Sequence, residues 1–389
     1  MILGYKERFL GEICDILDSK RKPVTKRDRV SGKYPYYGAS GILDYVNDYI
    51  FDEKLVLIGE DGAKWEQGEK SSFIAEGKYW VNNHAHVIRP NRSIVLDEWI
   101  VYFLNFSDLT KYTTGLTVPK LNQERLRSIK IPIPPLPEQQ RIVDILDQSF
   151  AAIDQAIENT KKNIIHLFDL TKSYLTSILE NKQDGNWIQK KIKSITTKIG
   201  SGATPLGGKN SYQKKGISLI RSLNVYDDGF QYKNLAFIDE KQAQKLSSVE
   251  IEKRDILLNI TGASILRCCV VPEDVLPARV NQHVLILRPV ENIILPEFLH
   301  LLIISADYKS SLLQIAKAGG STREALTKEG VSNFKISFPK EISEQEKLVN
   351  LYNSFVAQSD KLRNNYYQKI EKLQELKQSI LHKAFNGEL

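Results

Sequence analysis

Lysine, arginine and tyrosine crowd into a few loops of this 389-residue chain, each marked by glycine or proline. Lys20, Arg21, Lys22, Lys26, Arg27 and Arg29 surround Pro23, and Lys33, Tyr34, Tyr36 and Tyr37 follow. Lys64 and Trp65 come after Gly62, while Lys111, Thr113, Thr114, Thr117 and Lys120 flank Gly115. A second set comprises Lys209, Arg221, Ser222 and Asn224, then Thr261, Ser264 and Arg267, then Ser321, Thr322 and Arg323. Lysine and arginine neutralise phosphates, whereas Arg, Asn, Ser and Thr offer donors and acceptors to base edges. Any one of these residues could belong to a solvated basic face. As clusters they point to binding of double-stranded DNA.

Catalytic chemistry finds less support. The string GATPLGGKN (202–210) has Ala203 where a phosphate loop needs its first glycine, and Asn210 where it needs a hydroxyl. An amino-methyltransferase needs Asn-Pro-Pro-Tyr/Phe, but the Pro-Pro pair, Pro134-Pro135, follows Ile133. Asp61 with Glu76-Gly77-Lys78 makes a weak metal-nuclease pattern, because an acid-x-Lys triplet recurs by chance in any charged chain. His84 and His283 lie next to predicted strands without a nucleophile at diagnostic spacing, so hydrogen-bonded structural roles are expected. Cys14, Cys268 and Cys269 lack zinc-ligand spacing and read as buried thiols. The expectation is a non-enzymatic chain with no metal and no cofactor of its own.

The elements that must carry these loops occur twice. Residues 113–131 (TTGLTVPKLNQERLRSIKI) align with 318–336 (AGGSTREALTKEGVSNFKI), placing Gly115 on Gly320, Leu121 on Leu326 and Lys130 on Lys335. VNNHAHVIRP (81–90) matches VNQHVLILRP (280–289), and Leu57, Gly62 and Ala63 fall on Leu257, Gly262 and Ala263. Repeats of this kind mean a tandem duplication. KLVLIGEDG and DILLNITG read as buried strands ended by glycine, and WIVYFLN and PEFLHLLIIS as short helices.

Each copy ends in a long helical pattern. From Glu138 to Asp184 there is neither Gly nor Pro, and Phe150, Ile153, Ile157, Ile164 and Leu167 lie on a heptad seam broken only by Thr160 and Thr171. From Glu344 to Asn386 a second seam holds Phe355, Leu362, Tyr366, Leu373 and Leu376, interrupted by Ser359 and Lys369. At 1.5 Å per residue each rod is roughly 60 Å long, more than one domain's core can cover. The expected fold is α+β: two tandem α/β domains and two long helices paired as an antiparallel coiled coil, with a domain towards each end and pseudo-twofold symmetry. Four prolines in IPIPPLPEQQRIV (131–143) force extended backbone just before the first rod. The boundaries read as 1–137 and 183–343 for the domains and 138–182 and 344–389 for the helices.

Composition sets the outer limits. With 42% hydrophobic and 26% charged residues, disorder and collagen-like order are excluded. The net charge of +7 suits a polyanionic partner. No apolar run spans a bilayer, and Glu7 and Arg8 interrupt MILGYKERFL, so a cytoplasmic protein without membrane contact is expected.

Taken together, YPYYGASGILDYV (34–46), GISLIRSLNV (216–225), GEDGA, NITGAS and PPLPEQQRIV, in an alternation of domain and helix, resemble the DNA-specificity subunit of Type I restriction-modification enzymes. The second copy departs from it with Lys340-Glu341-Ile342-Ser343 in place of the proline run. The resemblance implies that each domain is a target recognition domain reading one half of a split, asymmetric DNA sequence. It further implies that the helices dock two methyltransferase subunits and that restriction subunits join them. S-adenosylmethionine, ATP and Mg²⁺ then belong to the partners. A specificity subunit serving a fused Type II-like methyltransferase-nuclease, or a coiled-coil scaffold without a DNA role, stays open.

Overall fold

The computed structural model describes residues 5–115, 117, 119–180, 186–205, 207–318 and 325–389. They fall into two units, one made of Met1–Lys162 with Tyr366–Leu389 and the other of Asn163–Asn365.

The strands of the first unit are β1 (Lys6–Phe9), β2 (Cys14–Ile16), β3 (Ser31–Gly38), β4 (Gly41–Val46), β5 (Phe51–Asp52), β6 (Leu55–Gly59), β7 (Ser72–Ala75), β8 (Lys78–Val81), β9 (Ala85–Pro90) and β10 (Lys130–Ile133). Strands β2-β9-β6-β7 form one sheet and β4-β3-β8-β5 another, while β1 pairs with β10. The helices α1 (Leu10–Ile13), α2 (Asp97–Phe106) and α3 (Gln123–Arg127) accompany them. Strand β6 reads LVLIG because it is covered on both faces. Val56 and Ile58 meet Trp99, Ile100 and Leu104 of α2, whereas Leu55 and Leu57 meet Phe51, Tyr79 and Val81 of the second sheet. Such a strand needs an unbroken apolar run rather than alternation.

The second long segment begins with α4 (Leu136–Glu180) and continues through β11 (Trp187–Lys191), β12 (Thr196–Ser201), β13 (Ile217–Ile220), β14 (Val225–Tyr226), β15 (Gly229–Phe230) and β16 (Ala236–Ile238). Then come α5 (Glu240–Lys245), β17 (Ile256–Asn259), β18 (Cys268–Val270), β19 (Ala278–Val280), β20 (Val284–Pro289), α6 (Pro296–Ile304), α7 (Ala306–Ala318), α8 (Lys328–Asn333), β21 (Lys335–Pro339) and α9 (Ile342–Asn386). The sheets repeat the first unit's plan: β12-β20-β17-β18 matches β2-β9-β6-β7, β16-β13-β19 matches β4-β3-β8, and β11-β21 matches β1-β10. Leu258 and Leu285 face α6, whereas Leu257 and Ile286 face the second sheet. Cys14, Cys268 and Cys269 are free and buried, and burial pushes the Cys14 and Cys269 thiols up to about 12.

The two long helices pack antiparallel. In the first unit Ile142, Val143 and Leu146 of α4 share a core with Leu381, Ala384 and Phe385 of α9. In the second, Leu175 and Ile178 of α4 share one with Val349, and Tyr174 stacks on Phe355 with ring centroids 4.1 Å apart. Two details differ from the sequence expectation. Thr160 does not break the first stripe: it is 1% exposed, and its hydroxyl donates back to the Ala156 carbonyl at 2.7 Å. On α9, Leu362 and Leu376 are 39% and 46% exposed, so they lie off the seam. Val356, Arg363, Ile370 and Lys377, which the sequence did not place on the seam, are half-buried there together with Leu373. Lys377 holds its seam position by laying its ammonium over Phe150, 4.8 Å from the ring centroid, and bonding Asp154 at 2.7 Å. Ile153 and Ile164 are buried, and Phe150, Ile157, Leu167, Phe355 and Tyr366 are half-buried.

Each rod is joined to its domain by one glutamine. Gln139, fully buried, accepts the Leu96 amide at 2.9 Å and donates to the carbonyls of Ile94 at 2.9 Å and Pro134 at 2.8 Å. Gln345 does the same with Leu295 at 2.9 Å, Ile293 at 3.0 Å and Pro339 at 2.8 Å. An uncharged side chain with a donor and an acceptor at one end can satisfy both kinds of backbone group without burying a charge.

Candidate nucleic-acid interface

In the first unit four loops meet at the ends of β2, β6 and β9 and ahead of α3. The Glu60 amide donates to the His84 carbonyl and the Leu121 amide to the Glu60 carbonyl, both at 2.8 Å. Thr114 and Lys120 exchange backbone bonds, also at 2.8 Å. Gly62, at φ +70°, turns the chain after β6 in a conformation that side chains rarely adopt.

Charged side chains bind these loops together from beneath. Arg21 donates to Glu60 at 2.5 Å and to the Ala85 carbonyl at 2.8 Å, and Lys120 reaches the other Glu60 oxygen at 2.9 Å. His86, wholly buried, sets Nδ1 2.6 Å from Asp18 and Nε2 2.7 Å from the Leu121 carbonyl. Both ring nitrogens thus face oxygen atoms. Burial works against the carboxylates of Asp18 and Glu60. Hydrogen bonds from His86 to Asp18, and from Arg21 and Lys120 to Glu60, outweigh it and hold both below the usual carboxylate range. The bond to Glu60 raises Lys120 in turn. Ligand atoms of Asp18, Glu60 and His86 lie within 4.8 Å of one another, but the cations that fill this cradle are the protein's own Arg21 and Lys120. At the rim His84 Nδ1 sits 2.5 Å from Asp61.

The second unit keeps the backbone and changes the groups. The Ile260 amide donates to the His283 carbonyl at 3.0 Å and the Leu326 amide to the Ile260 carbonyl at 2.8 Å, and Gly262 turns at φ +73°. His283 Nδ1 bonds the Thr261 hydroxyl at 2.6 Å, in the place of the His84–Asp61 pair. Gln282 lies 3.1 Å from His283 Nε2 and accepts the Thr204 hydroxyl at 2.6 Å. Arg267 lies over Tyr226, 4.2 Å from the ring centroid.

The expected contact residues divide accordingly. Lys20, Lys22, Lys26, Arg27, Lys64, Lys111, Thr114, Thr117 and Lys120 are exposed, and Thr113, Arg221, Ser222, Thr261 and Ser264 are half-buried. Trp65 and Tyr36 are 4% and 1% exposed, so neither offers a ring to a base. Trp65 fills the core beneath the loop, and the Tyr36 hydroxyl takes the Val24 amide at 2.9 Å. Tyr37 packs edge-on against Tyr79, and Arg21 is consumed inside the charge network. Asn224 is fully buried, its amide donating to the Gln231 carbonyl at 2.8 Å. Arg221 donates to the Asn234 carbonyl at 2.5 Å and stacks on Tyr212. Ser321, Thr322 and Arg323, and the side chain of Lys209, lie outside the described residues. Sequence reasoning missed Asp18, Glu60 and His86. Their one signal was a histidine in the middle of an otherwise apolar strand, AHVI, where burial demands a partner.

Comparison with known proteins agrees with the duplication. The model of the Type I restriction modification DNA specificity domain matches twice, over residues 3–166 and 184–372. A putative type I restriction enzyme specificity subunit of Haemophilus influenzae is 39% identical over 138 residues, 36% of this chain and 35% of its own. The EcoBI specificity subunit of Escherichia coli is 28% identical over 308 residues, 73% of this chain and 63% of its own. Less than two thirds of the length of each of these relatives is therefore matched. The HsdS subunit of Thermoanaerobacter tengcongensis has the same fold, with a TM-score of 0.56 at 17% identity over 100% of this chain and 98% of that one. A chain solved to explain complex assembly and conformational transition of the type I R-M system gives a TM-score of 0.70 at 18% identity, over 100% and 99%. By its two matched domains and its fold, the chain belongs to the Type I restriction modification DNA specificity family.

Proposed function

We propose that this chain is the non-catalytic DNA-specificity subunit of a Type I restriction-modification enzyme, each unit reading one half of a bipartite, asymmetric target. The observation that carries the reading is the repeated loop cluster. Around His84 and His283, one backbone scaffold presents Asp61, Asn83 and Lys120 in the first unit and Thr261, Gln282 and Ala325 at the matching positions of the second. Equivalent positions with different donors and acceptors suit half-sites of different sequence. Exposed Lys20, Lys22, Lys26 and Arg27 beside the first cluster supply phosphate contacts. The paired helices serve as spacer and as the dock for two methyltransferase subunits, with restriction subunits joining that core. Methyl transfer and cleavage, with S-adenosylmethionine, ATP and Mg²⁺, belong to those partners.

The test is the methylated motif made by this chain with its methyltransferase. Replacing residues 183–340 by the matching domain of a related subunit should change one half of the motif and leave the other half and the spacer intact. A swap that altered both halves at once would end the modular reading. Methyl transfer by the purified chain alone would end the non-catalytic one.

A further inference from the structure

The β3–β4 ribbon, the edge of the four-stranded sheet β4-β3-β8-β5 beside the first loop cluster, carries exposed apolar side chains just past its turn. Strands β3 and β4 meet at a two-residue turn, with Gly38 paired to Gly41 and Tyr37 to Ile42. Ile42 and Leu43, just past the turn, are 47% and 58% exposed. Leu43 is an extra residue of β4 between the pairs Tyr37–Ile42 and Tyr36–Asp44, a bulge at which the regular alternation of faces lapses and both side chains stay open. The ribbon is nonetheless held firmly. A Cβ on Gly38 would lie 2.4 Å from Leu43 Cδ1, so the absence of that atom lets Leu43 lie across the neighbouring strand. A Cβ on Gly59 would lie 3.1 Å from the Ala39 carbonyl, which sets the turn against the loop that carries Glu60 and Gly62.

Charge says what the ribbon meets. The ion pair Arg29–Asp44 at 3.2 Å ties the basic segment to β4, and exposed Lys26 and Arg27 belong to that segment. Beyond the pairs Tyr36–Trp80 and Tyr37–Val81 strand β3 leaves β8, so only the end of the ribbon projects from the sheet. That apolar tip with its cationic flank matches the major groove, which admits two antiparallel strands between its phosphate walls. The apolar group in that groove is the thymine 5-methyl. We propose that Ile42 and Leu43 read thymine methyl groups in the half-site of the first unit. This rests on the DNA-specificity reading above and adds a determinant to it. In the second unit the matching strands β13 and β16 are joined by the excursion Arg221–Leu235, which includes β14 and β15, so thymine contact of this kind belongs to the first half-site alone.

The experiment uses the full subunit bound to its methyltransferase. Each thymine of the cognate duplex is replaced in turn by deoxyuridine, which removes the 5-methyl and nothing else. At one or two positions of the first half-site, affinity should fall about fourfold, the worth of one buried methyl. The double variant Ile42→Ala, Leu43→Ala should bind the unmodified duplex more weakly and no longer distinguish thymine from deoxyuridine there. A first half-site without thymine, or one in which no deoxyuridine alters wild-type affinity, overturns the proposal without any variant. So does a double variant that still discriminates, or one that loses methyltransferase while keeping discrimination, which would make the ribbon a protein contact. If the wild-type complex binds every duplex alike, the specificity reading falls too.

Discussion

Beneath the first unit's loops lies a buried charge network, and at the matching place in the second unit lies oil. His86 is replaced by Leu285, Glu60 by Ile260 and Lys120 by Ala325, while the two backbone bonds that flank Glu60 and Ile260 differ by no more than 0.2 Å. The scaffold therefore does not require the charges. What both copies keep is the machinery of shape: Gly62 and Gly262 at positive φ, the glutamine anchors, and the ion pairs Lys54–Glu98 at 2.6 Å and Arg254–Glu297 at 2.9 Å between the strand start and the short helix. What changed is what the loops present and what stands under them. Duplication has separated the parts that fix geometry from the parts free to vary.

The largest expected effect tests what the halves share. Gln139→Leu removes one acceptor and two donor contacts, stranding the Leu96 amide and the carbonyls of Ile94 and Pro134. Unpaired buried groups cost about 1 to 3 kcal/mol each, so a total of roughly 3 to 9 kcal/mol is expected, and Gln345→Leu should cost the same. Hydrogen exchange at the helix–domain junction of each variant reads this directly. Unequal losses of more than about 1.5 kcal/mol would show that the two anchors are not equivalent.

The next effect tests what the halves do not share. His86→Leu copies the second unit's residue but takes the imidazole bond from the Leu121 carbonyl and from Asp18, which keeps the Val87 amide and Arg21, at a cost of about 2 to 4 kcal/mol. The reciprocal Leu285→His buries an imidazole among Leu258, Leu287 and Phe298 and should cost a similar amount. Acid should separate the units as well. Asp18 and Glu60 are held below their ordinary values of 3.8 and 4.5, so their contribution is complete above those values and is lost as pH falls through the folded ones. Below about pH 4 the loops around Glu60 should lose exchange protection before those around Ile260. Simultaneous loss would mean that the network contributes little to stability.

Sequence carried most of the fold because duplication prints each signal twice. The buried apolar runs, the glycine turns and the helix starts were all legible. The α9 register was not, because Leu362 and Leu376 look like seam residues, whereas the seam includes Arg363 and Lys377, whose stems are apolar and whose charges escape sideways. The interface was legible in part. Exposed lysines announce themselves, but Tyr36, Trp65 and Asn224 share the composition of contact residues while their environment is the core. Helix α7, thirteen residues where the first unit has the three-residue turn Thr110–Tyr112, was not foreseen, because the duplicated pattern lapses there.

The smallest effect concerns charge on the loops themselves. Lys22 is exposed, but its backbone is fixed: its amide donates to the Val81 carbonyl at 3.3 Å, and its carbonyl takes the Trp80 indole N–H at 2.6 Å. Lys22→Ala therefore removes a charge without moving the loop. If that charge meets a phosphate, the slope of log affinity against log salt should drop by about 0.9, with every duplex weakened alike and the methylated motif unchanged. Thr204, on the segment that follows β12, carries no charge and spends its hydroxyl on Gln282, so Thr204→Ala should leave the slope alone. A change in motif with Lys22→Ala would move this residue from phosphate contact to base readout. A change in slope with Thr204→Ala would show that the second unit's loop rearranges on DNA, because no ionic contact is lost there. Salt slope and motif are independent readouts, so together they sort the exposed cations of the first unit into those that hold the duplex and those that read it.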